Sequence, residues 1–163
     1  MFRGAMKIGF AIVAGSLLLT ACSSTKEEAQ APVTTTNPSS IKPGSAEDFR
    51  VNVGDTVLFD LDQHSIRSDA QGILQKQAAW LKQYPSVRLM VEGHCDERGT
   101  EEYNRALGER RALALREALM QLGADTSKIT TRTYGKDRKI DLGNSEAAHA
   151  KNRRGEFVVL RPK

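Results

Sequence analysis

The sequence predicts an α/β (α+β) sandwich in which helices pack on one mixed β-sheet. Three observations predict this fold class. Short apolar runs typical of strands alternate with two amphipathic helical patterns, in the order strand, helix, strand, helix, strand, loop, strand. The pattern is confined to residues 49–163, a length that fits one small domain. The residues before it have a different composition and are considered separately.

Apolar alternation predicts the strands of this sheet. The segment "FRVNVGDTVLFDLD" predicts a strand over residues 49–53, a turn at Gly54 and Asp55, and a second strand over residues 56–59. Three later segments have the same β-branched and aromatic character, so the sequence predicts strands at "SVRLMVEG", "KITTRTYG" and "GEFVVLR".

Two helices are predicted between these strands. Ser68 has the character of an N-cap for a helix that reaches about Gln83, and Pro85 then prevents its continuation. The second helix is longer and covers residues 101–122. Gly123 is placed where a helix commonly ends in the left-handed conformation.

Residues 1–21 have the features of a lipoprotein signal peptide. Arg3 and Lys7 precede an apolar run over residues 8–19, which is too short to span a membrane. The run ends in "LTAC", which resembles a bacterial lipobox and predicts N-acyl and S-diacylglycerol lipid on Cys22. Ser23 then implies the periplasmic face of the outer membrane. The alternative is an ordinary signal peptide followed by a chance cysteine.

Residues 22–48 are predicted to form a lipid-anchored flexible linker. Three prolines and no aromatic residue occur between Ser23 and Asp48, so the segment cannot bury enough apolar surface to fold. As a flexible chain it would span roughly 30 Å on average and about 90 Å when extended. A domain on this linker could reach a partner away from the membrane.

Charge and cysteine usage limit the function classes. The formal net charge is +4. A balance this mild is ordinary for a protein surface, so no nucleic-acid partner is expected. If Cys22 carries lipid, Cys95 is the single remaining thiol and no intramolecular disulfide can form. Burial of an inert thiol is the favoured interpretation, and a mixed disulfide is the alternative.

The long helix carries two polar residues on its apolar side. At about 100° per residue, Asn104 and Arg111 fall within the arc formed by its leucines and alanines. A buried charge needs a partner, and Asp96 in the preceding loop is the obvious one. A zwitterion such as an amino-acid terminus would then meet a cation in Arg111, an anion in Asp96 and the free backbone N–H groups of the first helical turn. An internal Asp96–Arg111 salt bridge without ligand fits equally well.

Five motifs resemble one family in the right order: "FDLDQHSI" at 59–66, "VEGHCDERGTEEYN" at 91–104, "LGERRA" at 107–112, "YGK" at 134–136 and "NRR" at 152–154. The domain resembles the OmpA-like peptidoglycan-binding domains. The whole chain is similar to their lipoprotein members, the peptidoglycan-associated lipoproteins. The resemblance implies non-covalent binding to the diaminopimelate-containing peptide stem of peptidoglycan. It also implies a tether between outer membrane and cell wall, within the Tol-Pal system, with a role in envelope integrity and cell division.

The same resemblance implies roles for individual residues. Asp96 would meet the ammonium of diaminopimelate and Arg111 its carboxylate, with Asp62 on the opposite wall. Arg98 and Asn104 match positions near the ligand, although Asn104 could instead bond to the loop. Five further residues would support the site: Phe59, Gly99, Leu107, Asn152 and Arg154. In the alternative, the residues of "NRR" have a purely structural role.

Two other functions compete with wall binding. The run His94-Cys95-Asp96-Glu97 is chemically reactive, but neighbouring side chains point apart, and neither His64 nor His149 has the spacing of a metal ligand. We therefore expect no enzyme, no metal and no cofactor besides the lipid. The second competitor is a periplasmic interaction module that binds the propeller protein of the Tol system without binding the wall. The resemblance implies that both surfaces overlap.

Overall fold

Four strands form one mixed sheet in the order β1-β4-β2-β3. The strands are β1 (Thr56–Leu58), β2 (Arg88–His94), β3 (Ile129–Gly135) and β4 (Arg154–Leu160). Strand β4 is antiparallel to both β1 and β2, and β2 is parallel to β3. The structure is a computed structural model, and it describes residues 41–160. The predictions for the signal peptide, Cys22 and the linker up to residue 40 lie outside the described residues.

Within residues 41–160, four α-helices accompany the sheet: α1 (Ala46–Asp48), α2 (Gln71–Gln83), α3 (Glu101–Gln121) and α4 (Glu146–Asn152). Helix α3 begins at Thr100, whose hydroxyl accepts from the Tyr103 N–H, and Gly123 follows its end with φ +82°. The predicted fold class is therefore confirmed. None of the helices in residues 41–160 is long and apolar enough to cross a membrane.

Three local predictions were wrong. Residues 49–53 form a π-helical turn, because Phe49 and Val53, four residues apart, face the core together while Val51 is 55% exposed. Ser68 does not cap α2 but opens a 3₁₀ turn that leads into it. Helix α4 lies in the predicted loop, since seven residues are too few for a clear helical period. Within the predicted linker, residues 46–48 are helical.

The hydrophobic core fills the space between the sheet and helices α2 and α3. Phe49 contacts Trp80 edge to face, with ring centroids 4.8 Å apart. All fully buried members of this core lie between Phe49 and Phe157. Because the core residues of the described part of the chain all lie within this range, we expect residues 41–163 to fold without the preceding segment.

Helix α3 crosses β2 at a contact between two glycines. A Cβ atom placed on Gly93 would lie 1.8 Å from the carbonyl oxygen of Gly108, and one on Gly108 would lie 2.9 Å from the Gly93 oxygen. Only glycine permits this backbone approach. The crossing fixes the N-terminal half of α3 directly over the end of β2, where the polar loop begins.

We predict that Gly93→Ala destabilises residues 41–163 by at least about 2 kcal/mol, because backbone must move to admit the methyl group. Urea unfolding measures the change. Gly72→Ala is the matched control, since a Cβ there meets nothing within 4 Å and alanine favours a helix. A Gly93→Ala variant as stable as the Gly72→Ala variant would contradict the close crossing.

Candidate functional site

A cavity of about 270 Å³ lies where three segments meet. The segments are the loop after β1, the loop between β2 and α3, and the N-terminal half of α3; Arg153 also reaches the cavity, from the junction of α4 and β4. Seven of the predicted site residues line this cavity: Asp62, Asp96, Arg98, Gly99, Asn104, Leu107 and Arg111. Four lining residues were not predicted as site residues: Leu61, Cys95, Tyr103 and Arg153. The predicted supporting residues Phe59, Asn152 and Arg154 are not among its walls.

The Arg111 guanidinium is fully buried at the base of the cavity. Its Nε donates to the Gln63 carbonyl at 2.8 Å, its Nη1 to the His94 carbonyl at 2.7 Å and its Nη2 to the Asp60 carbonyl at 3.1 Å. It also lies over the Phe59 ring, 5.1 Å from the centroid. Arg111 therefore joins the two loops that form the cavity. Burial lowers the pKa of Arg111, but a guanidinium stays protonated.

No carboxylate in residues 41–160 forms an ion pair with Arg111. The side chain of Asp96 instead accepts from Arg98 and, at 3.2 Å, from Arg153. The internal Asp96–Arg111 salt bridge, one of the two alternatives, is thus absent. The Arg111 charge is hydrogen-bonded to neutral carbonyls and is not balanced by a neighbouring anion.

Asp96 is 4% exposed and is held from two sides. Its Oδ1 accepts from the backbone N–H of Arg98 at 3.1 Å, and its Oδ2 accepts from both guanidinium groups. Burial alone would raise the pKa of Asp96, but the hydrogen bonds from Arg98 and Arg153 outweigh burial and hold the pKa below its ordinary value. The carboxylate is therefore ionised at neutral pH.

Arg153 is the basic residue of "NRR" that reaches the cavity. Its Nε donates to the Phe59 carbonyl at 3.1 Å, and its Nη1 contacts Asp96 and, at 2.8 Å, Glu146. The predicted Arg154 points away and binds Glu156. The alternation of side chains along a strand could have distinguished Arg153 from Arg154. Arg153 lies an even number of positions before the core residue Phe157, so both side chains face the helices.

The two predicted asparagines have structural contacts. Asn104 Nδ2 donates to the carbonyls of Arg98, at 2.7 Å, and Thr100, at 3.1 Å, so Asn104 bonds to the loop while also lining the cavity. Asn152 binds the backbone of residues 140 and 141 through both ends of its amide. Asn152 therefore fixes a neighbouring loop and does not line the cavity.

Asp62 and Cys95 both line the cavity. Asp62 has a left-handed backbone, with φ 60°, and accepts from the hydroxyl of Tyr103 at the rim of the cavity. Cys95 is 2% exposed, and its thiol donates to the Asn104 carbonyl at 3.3 Å. Burial raises the pKa of the Cys95 thiol, which supports the interpretation of an inert cysteine.

A family comparison agrees with this fold and these motifs. The model of the OmpA family matches residues 58–153. The chain belongs to the OmpA family. Within it, the relatives are peptidoglycan-associated lipoproteins: that of Brucella melitensis biotype 1 is 49% identical over 117 residues, covering 72% of this chain and 70% of its own. That of Legionella pneumophila is 35% identical over 165 residues, covering 93% of each.

Solved structures give the same assignment. The crystal structure of the peptidoglycan-associated lipoprotein from Burkholderia pseudomallei has a TM-score of 0.64 and 40% identity, covering 65% of this chain and 90% of that one. The C-terminal domain of Helicobacter pylori MotB has a TM-score of 0.62 and 22% identity, over 66% of this chain and 85% of that one, and supports the fold alone. The predicted resemblance to this family of lipoproteins is confirmed.

The environment of Asp96 predicts a pH dependence of stability. Because its pKa is lower in the folded chain than in the unfolded chain, Asp96 stabilises the fold above about pH 4, and this contribution is lost as the pH falls through the folded pKa. We expect Asp96→Asn to be less stable than wild type at pH 7, with a difference that shrinks below about pH 4. Urea unfolding at several pH values measures it. The exposed Glu102→Gln serves as control, and a difference independent of pH would contradict this account.

Proposed function

We propose that the cavity binds the peptide stem of peptidoglycan without a covalent bond, through the ammonium and carboxylate of diaminopimelate. One observation carries the proposal: a fully buried guanidinium, that of Arg111, lines an open cavity and has no anionic partner among the described residues. A buried charge without a counter-ion is unfavourable, so an entering carboxylate would be stabilised there.

The anionic side of the cavity suits an ammonium group. Asp62 and Asp96 both line it, and Asp96 is ionised at neutral pH. Of the two arginines on Asp96, Arg153 is fixed, with an 8% exposed side chain, whereas the Arg98 side chain is 40% exposed. We therefore expect the ligand ammonium to displace Arg98 from Asp96 while Arg153 stays in place.

The cavity holds its ligand by ionic and hydrogen-bonding contacts and breaks no bond. Its thiol is buried with a raised pKa, and the imidazole of His94 points away toward the other face of the sheet. The chain belongs to a family of wall-associated lipoproteins, and we propose a binding function without catalysis.

Titration calorimetry of residues 41–163 with a soluble stem peptide tests this function. We expect the diaminopimelate peptide to bind at least about tenfold more tightly than a lysine peptide, which lacks the second carboxylate. Arg111→Lys should reduce binding of the first peptide to the level of the second, because lysine lacks the planar fork. Arg110→Lys, on the exposed side of α3, is the matched control. Equal affinity for both peptides would contradict the proposal.

We further propose that the propeller protein of the Tol system binds a surface that overlaps this cavity, which would couple wall binding to envelope integrity and cell division. Two large apolar side chains at the rim support this, Leu61 being 52% and Tyr103 43% exposed. A second stage of the same titration distinguishes the functions. Saturating stem peptide should abolish binding of the propeller protein. Undiminished binding would indicate separate surfaces, and binding of the propeller protein alone would favour the interaction-module alternative.

The anchoring proposal concerns the N-terminal segment. We propose that lipid on Cys22 holds the chain at the periplasmic face of the outer membrane and that residues after it reach the wall. Cells expressing Cys22→Ser should lack the chain in their outer membranes, because serine cannot accept the lipid that precedes cleavage, whereas wild type and the control Ser24→Ala should sediment with outer membranes. Wild-type protein that lacks lipid by mass spectrometry would contradict lipid anchoring.

A further inference from the structure

A second polar cluster lies on the face of the sheet opposite the cavity. Glu92 and His94 are two residues apart on β2 and so point to the same face, and Glu156 is the direct partner of Glu92 on β4. The three side chains line a cleft of about 540 Å³. The peptide-binding proposal uses none of these side chains.

The His94 imidazole is buried without a hydrogen bond. It is 0% exposed, and neither ring nitrogen has a hydrogen-bond partner in the described part of the chain. A buried polar group left in this state is unfavourable, so a partner for it is expected. The ring is held in place by stacking on Tyr134, with centroids 5.4 Å apart and planes at 17°. Its orientation is therefore fixed and its nitrogens are available.

The imidazole is directed at two carboxylates. Nε2 lies 3.6 Å from Glu92 Oε2 and 3.9 Å from Glu156 Oε2. Both distances are too long for hydrogen bonds. The three ligand atoms lie within 4.8 Å of one another, so a single atom at their centre would be about 2.4 Å or less from each. Zinc bonds to imidazole and carboxylate are about 2.0–2.2 Å long. Small rotations of the three side chains would bring their ligand atoms to this distance from the centre.

The juxtaposition of two carboxylates in the cluster also favours a cation. Glu92 and Glu156 face each other directly across β2 and β4, and like charges in this position are destabilising. Arg154 balances Glu156, with 3.0 Å between Nη2 and Oε2. Glu92 is 6% exposed and, within residues 41–160, forms no ion pair with lysine or arginine. Glu92 therefore lies buried beside an unpartnered imidazole, and Arg138, Lys139 and Arg154 line the same cleft.

We propose that Glu92, His94 and Glu156 bind one divalent transition-metal ion, with zinc as the preferred ion and the open cleft providing the fourth position. Imidazole is a good ligand for zinc and a poor one for magnesium or calcium, which take oxygen ligands. The proposal departs from the sequence-based expectation that no metal is bound, which was drawn from the spacing of His64 and His149. The ion would cross-link β2 to β4 immediately beside the His94 carbonyl that binds Arg111.

Calorimetric titration of metal-stripped residues 41–163 with zinc chloride tests the site. We expect one ion to bind per chain and the melting temperature to rise with zinc concentration. Glu156→Gln, at the edge of the cleft, should weaken binding at least tenfold without disturbing the core, and His94→Gln should do the same. The matched controls are Glu97→Gln and His64→Asn, which replace an acid and a histidine outside the cluster.

Cobalt substitution separates this site from adventitious binding. With nitrogen and oxygen ligands only, the cobalt protein should show d–d absorption without the thiolate charge-transfer band that binding to Cys95 would produce. Absence of zinc binding, a thiolate band, or affinity unchanged by Glu156→Gln would each overturn the proposal. Binding lost in His64→Asn alone would assign the ion to a surface histidine and would overturn it as well. Because stem-peptide binding is measured separately, failure here leaves the peptide site unaffected.

Discussion

The buried guanidinium of Arg111 is the interaction on which the candidate site depends. Its three nitrogens bind backbone carbonyls from the loop after β1 and from the end of β2, so one side chain holds segments that lie 17 to 51 positions before it in sequence. Carbonyl oxygens solvate the charge but do not neutralise it. The residual positive charge is thus a consequence of how the loops are joined, and the same residue both builds the cavity and gives it an affinity for anions.

Arg111 can reach both loops only because α3 lies unusually close to β2. The close approach of Gly93 and Gly108 places the helix axis near the strand, one turn before Arg111. A side chain at either glycine would lift the helix away and lengthen the contacts of Arg111 with the carbonyls. The specificity of the cavity therefore has its origin in two residues that carry no functional group.

Much of the fold and part of the site could be predicted from the sequence. Helical periodicity identified Asn104 and Arg111 as inward-facing because both fall within the arc formed by the leucines and alanines of the long helix. Partner choice could not be predicted, since the spacing that brings Asp96 near Arg111 does not show that Arg98 and Arg153 reach it first. Residues 49–53 were misassigned because three alternating apolar residues fit one helical turn as well as a strand. Helix α4 carries Glu146 toward Arg153, and its seven residues were too short for the pattern to reveal.

Strand β2 connects the two proposed ligand sites through a single residue. The backbone carbonyl of His94 accepts from Arg111 on the helix side, and its imidazole points to Glu92 and Glu156 on the other. The end of β2 is also where the register with β3 shifts, between Gly93 and His94. An ion bound by the imidazole would restrict the position of this carbonyl, and through it the guanidinium. Because both contacts belong to the same residue, a shift of the His94 backbone on ion binding would act directly on the hydrogen bond to Arg111.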